Sequence, residues 1–261
     1  MPLQKTEAIV LKTQRSGETS KIVTLFTPKS GKLRVVAKGS RGLKSRFFGT
    51  LEPLNHIAIV YYFKETREYQ YLSQADIIHS YAKIKADLKK YALANVLCEL
   101  VDRTELEQPN PYLFQILIDV LKGINDSKTR LSSYLYWFLL RFFKINGFDP
   151  DFSLCRNCHS RTTSGMVRYS LSSGGYYCNN CPISEPEGVT VSADTILSLA
   201  KIKQASVINV ESIPFSAKGE AETLLLSFLY YHIEEAKHLK SLKFYRQMQE
   251  NIFNESIDQP L

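Results

Sequence analysis

Residues 31–46 read Gly-Lys-Leu-Arg-Val-Val-Ala-Lys-Gly-Ser-Arg-Gly-Leu-Lys-Ser-Arg. The first half is built to alternate. In an extended chain successive side chains point to opposite faces, so Lys32, Arg34 and Lys38 share one face while Leu33, Val35 and Ala37 share the other. This is the pattern of a half-buried strand with a cationic outer surface. The second half, Gly39 to Arg46, holds two glycines and three cations and is expected to be a flexible basic loop. Upstream, Pro28-Lys-Ser-Gly31 is a turn, because proline presets φ and glycine accepts positive φ. Further strands are expected at Glu7–Lys12, Ile22–Phe26, His56–Phe63 and Tyr69–Leu72, the last two forming a hairpin across Lys64–Glu68. Five short strands with glycine turns in the first eighty residues predict a small barrel of the OB type.

Charge follows the same boundary. The chain has 261 residues, 33 Lys plus Arg and 26 Asp plus Glu, a formal net charge of +7. Residues 1–80 hold 13 basic and 6 acidic residues, and residues 81–261 hold 20 of each, so the whole excess lies in the first part. No acidic residue occurs between Glu18 and Glu52, a window that also contains Lys21, Lys29, Lys44 and Arg46. Such a field attracts polyanions and speeds their encounter, and the expected partner is nucleic acid rather than bulk solvent alone.

After Ser80 the period changes from two to about 3.6. Ile84, Leu88, Tyr91, Ala94, Leu97 and Val101 mark one face of a long helix. Pro109 and Pro111 open a second helix that ends near Gly123. Leu131 to Ile145 is apolar on nearly all sides, which places it inside a bundle. Helical patterns resume at Ser192–Lys203, Ala217–Glu235 and Leu239–Phe253. The expected fold is therefore α+β: an OB barrel over 1–80, then an all-α domain over 81–261 carrying a cysteine-rich insert at about 152–184. This length suits one large or two modest domains. An apolar content of 44% and a charged content of 23% exclude a disordered chain, a collagen and a coiled-coil rod. No apolar run approaches the about 20 residues of a membrane span. The N-terminus lacks the basic and apolar regions of a secretion signal, so the cytoplasm is the expected compartment.

The insert holds Cys155-x2-Cys158 and Cys178-x2-Cys181, with 19 residues between the pairs. This is the spacing of a zinc ribbon: each knuckle offers two thiolates to one metal, and two knuckles complete a tetrahedron. Met166–Leu171 and Tyr176-Tyr177 read as a hairpin that returns the chain to the second knuckle. Two disulfides would need an oxidising compartment, and a redox pair normally comes once. Four thiolates leave no open coordination position, so one structural Zn2+ per chain is expected. His159 reads as a surface residue beside the first knuckle, and Cys98 as a small buried hydrophobe.

No catalytic constellation emerges, and a non-enzymatic role is expected. His56, His79, His232 and His238 are scattered. Glu220, Glu222, Glu234 and Glu235 read as solvated helix charges, and Gly39-x2-Gly42 lacks the rest of a phosphate-binding loop. Tyr61, Tyr62, Phe63, Tyr69 and Tyr71 are divided between the barrel core and a face on which bases can stack.

The order of several short motifs is similar to that of a known family. Ser16-Gly17-Glu18, Thr24-Leu-Phe26, Gly31, Lys38-Gly39-Ser-Arg41 and Leu51-Glu-Pro53 resemble the N-terminal part of the RecO family of bacterial DNA repair proteins. Gly147-Phe-Asp-Pro150, the two cysteine pairs and Gly174-Gly175 resemble its helical, zinc-containing second half. The resemblance implies a mediator of homologous recombination that binds single- and double-stranded DNA and anneals complementary strands. With RecR, such proteins help load RecA onto strands coated by single-strand-binding protein, SSB. Lys38 and Arg41 fall in the family's basic loop motif; Lys32, Arg34, Lys44 and Arg46 join them as DNA-contact candidates on charge alone. The acidic SSB tail needs a cation beside an apolar pocket, and Arg130 and Arg141, at the borders of the most aromatic helix, are the candidates. The competing reading is an RNA-binding accessory factor, which also can combine an OB-fold with a zinc ribbon.

Overall fold

The computed structural model describes residues 2–42, 44–104, 108–181, 188–215 and 218–255. Strands β1 (Leu3–Ser16), β2 (Ser20–Thr27), β3 (Gly31–Ala37), β4 (His56–Tyr62) and β5 (Gln70–His79) close into a barrel in the order β1-β2-β3-β5-β4. Four junctions are antiparallel, and β3 meets β5 in parallel through Val35↔Gln70 and Val36↔Tyr71. β1 is longer than its apolar centre indicates. Its first half pairs with β4 and its second with β2, and a register shift between Val10 and Lys12 bends it from one partner to the other. β5 likewise runs past Leu72 to His79, because β4 pairs with its polar residues as readily as with its aromatic ones. Inside lie Val10, Val23, Leu25, Val35, Ala37, Ile57, Ile59, Tyr61 and Leu72, plugged by Phe47 and Leu51 from the β3–β4 connection.

The chain forms two compact units. The first comprises Met1–Asn125 and Leu239–Leu261; the second is Asp126–His238. In the first unit the expected long helix is two helices, α1 (Ala82–Ala86) and α2 (Leu88–Thr104). Asp87 separates them in an extended conformation, and its carboxylate accepts the N–H groups of Lys89 and Lys90 at 2.9 and 3.1 Å. That capping bond competes with helix continuation although the apolar period runs through it. α3 (Pro111–Asp126) starts as expected: Asn110 accepts the Leu113 N–H at 3.0 Å, and proline takes the first helical position. The last helix, α7 (Lys240–Glu255), returns to α2. The Glu99 carboxylate accepts the N–H groups of Lys240 and Ser241 at 3.2 and 2.7 Å, satisfying two orphan donors of α7.

The second unit is organised on α4 (Leu131–Ile145), in which ten of the fifteen residues are buried. It packs against α5 (Ala193–Gln204), α6 (Lys218–His232) and a 3-10 turn at Val207–Ser212. The insert hairpin is present as β6 (Met166–Ser170) and β7 (Gly175–Tyr177). A third strand, β8 (Gly188–Ser192), pairs with β6 on the other side, and no strand is expected there from sequence. The all-α description of the second half therefore holds outside this three-stranded sheet. Among the described residues no helix is long and apolar enough to cross a membrane.

Candidate metal centre and nucleic-acid interface

The two knuckles are tight turns. His159 N–H donates to the Cys155 carbonyl at 3.0 Å, with His159 in the left-handed region at φ 56°, and Cys181 N–H donates to the Cys178 carbonyl at 3.0 Å. The Sγ atoms of Cys155, Cys158, Cys178 and Cys181 all lie within 4.8 Å of one another. Cys158 and Cys178 are 3.7 Å apart. Four thiolates at 2.3 Å from a tetrahedral ion would stand about 3.8 Å apart, whereas a disulfide needs about 2.05 Å. The electrostatics fit a cation as well. Burial disfavours the Cys155 thiolate, but N–H groups of Cys158, Cys178 and Asn157 aimed at its sulfur outweigh this and bring its pKa down to about 6. The Asn180 N–H favours the Cys178 thiolate, but burial and the three neighbouring sulfurs push it up to about 12. The Ser160 N–H likewise lowers the Cys158 thiol; gathering all four thiolates crowds them, and a divalent ion relieves that crowding. These four residues can hold a metal ion. His159 is exposed and lies outside the sulfur cluster. Cys98 is buried, and burial pushes its thiol up to about 12, the behaviour of a packing residue.

The six basic candidates on the barrel are used in two ways. Lys32 points from β3 at the end of α2, its Nζ donating to the Asp102 carbonyl at 2.7 Å. Arg34 pairs with Glu68 at 2.8 Å. Both partners are distant in sequence, which is why charge counting misses them. Lys38, Arg41, Lys44 and Arg46 are exposed. Hydrogen bonds tie parts of the β3–β4 connection that carries them to its neighbours. Arg41 donates to the carbonyls of Gly17 and Glu18 at 2.9 and 2.7 Å, and Asn55 donates to those of Gly49 and Thr50 at 2.9 Å each. Arg46 lies 4.9 Å over the ring of Phe47, which is itself in the core. Leu43 lies outside the described residues.

The aromatics divide by strand parity. Tyr61 points inward, its hydroxyl donating to Gln4 at 2.5 Å, while Tyr62 and Tyr71 are cross-strand partners pointing outward. Phe63 packs half-buried against the core. Sequence reading also passes over Arg67, whose guanidinium lies 5.0 Å from the Tyr71 ring.

In the second unit Arg130 donates to the Ile213 carbonyl at 3.0 Å, and Arg141 donates to that of Ala205 at 2.6 Å while stacking 3.7 Å over Trp137. Glu220 is not a solvated charge. Its carboxylate accepts from Ser192 N, Ser192 Oγ and Thr195 Oγ1 at 2.7–2.8 Å, closing the start of α5. His56 and His79 are cross-strand partners on β4 and β5; His56 is buried against Glu7 at 3.0 Å, and His232 bonds the Leu171 carbonyl at 2.8 Å.

Comparison with known proteins covers both halves. The family model described as Recombination protein O N terminal matches residues 1–81, and that described as Recombination protein O C terminal matches residues 85–243. The DNA repair protein RecO of Bacillus subtilis is 30% identical over 248 residues, 95% of each chain. That of Caldanaerobacter subterraneus is 31% identical over 237 residues, covering 90% of this chain and 94% of its own. The protein of the same name from Bifidobacterium adolescentis is 34% identical over 227 residues, 85% of this chain and 91% of its own.

Proposed function

The chain belongs to the RecO family of DNA repair proteins, and from that premise we propose that it is a recombination mediator that binds single- and double-stranded DNA and anneals complementary strands. The observation that carries the reading is the exposed set Lys38, Arg41, Lys44 and Arg46, presented by the connection between β3 and β4. Two strands that must pair repel each other through their phosphates. A surface that gathers several cations neutralises both backbones at once. Lys32 and Arg34 support this indirectly, as cations whose bonds to Asp102 and Glu68 shape the same face.

The metal held by Cys155, Cys158, Cys178 and Cys181 is Zn2+ in this reading. It is structural, because four sulfurs close the coordination sphere and leave no site for water. The role is therefore not enzymatic. With RecR as partner the protein delivers strands from SSB to RecA. Arg141, half-buried and stacked on the buried ring of Trp137, offers the acidic SSB tail a cation, with Arg130 at the other end of α4. The protein acts in the cytoplasm, on the nucleoid.

Competition between single-stranded DNA and RNA of equal length and sequence tests the reading against an RNA-binding accessory role. Equal or better binding of DNA is expected; a strong preference for RNA would move the function to the competing class.

A further inference from the structure

Strand parity places a row of side chains on the outer surface of the barrel, directly opposite one another: Leu3 on β1, Tyr62 on β4, Tyr71 on β5 and Val36 on β3. Leu3 is 56% and Tyr62 39% exposed, so this row is an open apolar and aromatic strip. Its centre is bracketed by cations. Lys38 Nζ lies 4.7 Å and the Arg67 guanidinium 5.0 Å from the centroid of the Tyr71 ring. Arg67 is held there by its own turn. Buried Gln70 accepts the Lys64 N–H at 2.8 Å and donates to the carbonyls of Lys64 and Arg67 at 3.0 and 2.9 Å. The two cations reach the ring from different segments, the end of β3 and the β4–β5 turn.

We propose that this strip is a base-stacking platform for single-stranded DNA, in which Tyr62 receives a base and Tyr71 is a positioning residue that seats Lys38 and Arg67 for the flanking phosphates. The proposal deepens the DNA-binding reading of the barrel and rests on it. An aromatic face recognises any unpaired base and no paired one, since duplex bases present their faces only to each other. Cations bound to an aromatic face lose little further freedom when a phosphate arrives. The platform thus separates two tasks. The segment Lys38–Arg46 holds backbones of either form, and Tyr62 registers that a strand is single.

The full-length protein is titrated with an oligo-dT strand and with a blunt duplex, read by fluorescence anisotropy at several salt concentrations. Tyr62→Ala is expected to weaken oligo-dT binding about 5- to 160-fold. Duplex affinity and the salt slope should be unchanged, because no phosphate contact is lost. Tyr62→Trp should keep the affinity and show emission quenched by oligo-dT. Tyr71→Leu should weaken both DNA forms and flatten the oligo-dT salt slope by up to about 1.4 units, whereas Tyr71→Phe, which keeps the ring, should behave as the unsubstituted protein. Melting curves check that each variant is folded. If Tyr62→Ala leaves the ratio of single-strand to duplex affinity unchanged while binding still depends on Lys38 and Arg41, the platform is refuted and the DNA-binding reading stands. Loss of neither slope nor affinity in Tyr71→Leu refutes the seating role. If the unsubstituted protein binds neither DNA, the reading and the platform fall together.

Discussion

Neutralising Lys38 and Arg41 to Gln provides a quantitative test of the exposed cations. Each phosphate contact to a single strand contributes about −0.7 to the slope of log K against log salt. If Lys38, Arg41, Lys44 and Arg46 each make one contact, the unsubstituted slope from this segment is about −2.8 and that of the double variant about −1.4. Between 50 and 200 mM salt the protein then loses about 50-fold in affinity and the variant about 7-fold. Folding should survive. Arg41 gives up two exposed hydrogen bonds, to Gly17 and Glu18, each worth at most about 1 kcal/mol. The backbone bond from Arg41 N–H to Thr19 at 3.1 Å remains to hold the segment. Anisotropy titrations at four salt concentrations give both slopes. A double variant with the full slope and full affinity would refute the assignment of DNA binding to this segment.

Elemental analysis should find one zinc per chain, and Cys155→Ser should lose it together with the β6–β7–β8 sheet, visible by near-UV circular dichroism, because structural zinc contributes folding energy. Gly188→Ala should destabilise by about 1–3 kcal/mol, since its Cβ would stand 2.7 Å from the Tyr169 carbonyl oxygen; Gly219→Ala, with nothing within 4 Å, should be neutral or slightly stabilising in urea unfolding. Stability should fall with acid in two stages. Burial lowers His56 below its usual 6.5, only partly offset by its bond to Glu7, so the stability it contributes is full above about pH 6.5 and declines as pH falls toward its folded value. Burial raises Glu99, Glu211 and Glu220, but hydrogen bonds from Ser241, Ser127 and Ser192 and neighbouring N–H groups outweigh it and hold all three below the usual 4.5. Their contribution is therefore present above that pH and lost below it; a urea midpoint flat from about pH 7 to pH 5 would contradict the first stage, and one flat from about pH 5 to pH 2 the second.

The barrel is legible in the sequence because its strands alternate cleanly: Lys32, Arg34 and Lys38 against Leu33, Val35 and Ala37 is enough to orient β3. Its closure is not, since the parallel β3–β5 junction rests on two residue pairs that no local pattern marks. The break at Asp87 is hidden because the apolar period passes through it, while a short-range capping bond decides the backbone. The return of α7 to α2 depends on Glu99, some 140 residues away, which reads as an ordinary helix charge. The cysteine cluster is the most readable feature, because knuckle spacing is itself the geometry. Among the cations the sequence shows the charge and not its use. Asp102 and Glu68 engage Lys32 and Arg34 from other elements, and Arg67 joins the surface only through the ring of Tyr71.

In the proposed function the cations of the barrel anneal DNA. The direct measurement is the rate at which complementary oligonucleotides, both coated with SSB, form duplex in the presence of the protein. Unsubstituted protein should accelerate duplex formation over SSB alone, and the Lys38→Gln, Arg41→Gln variant, folded and zinc-loaded, should lose most of that acceleration. No acceleration by the unsubstituted protein, or full acceleration by the variant, would contradict the account.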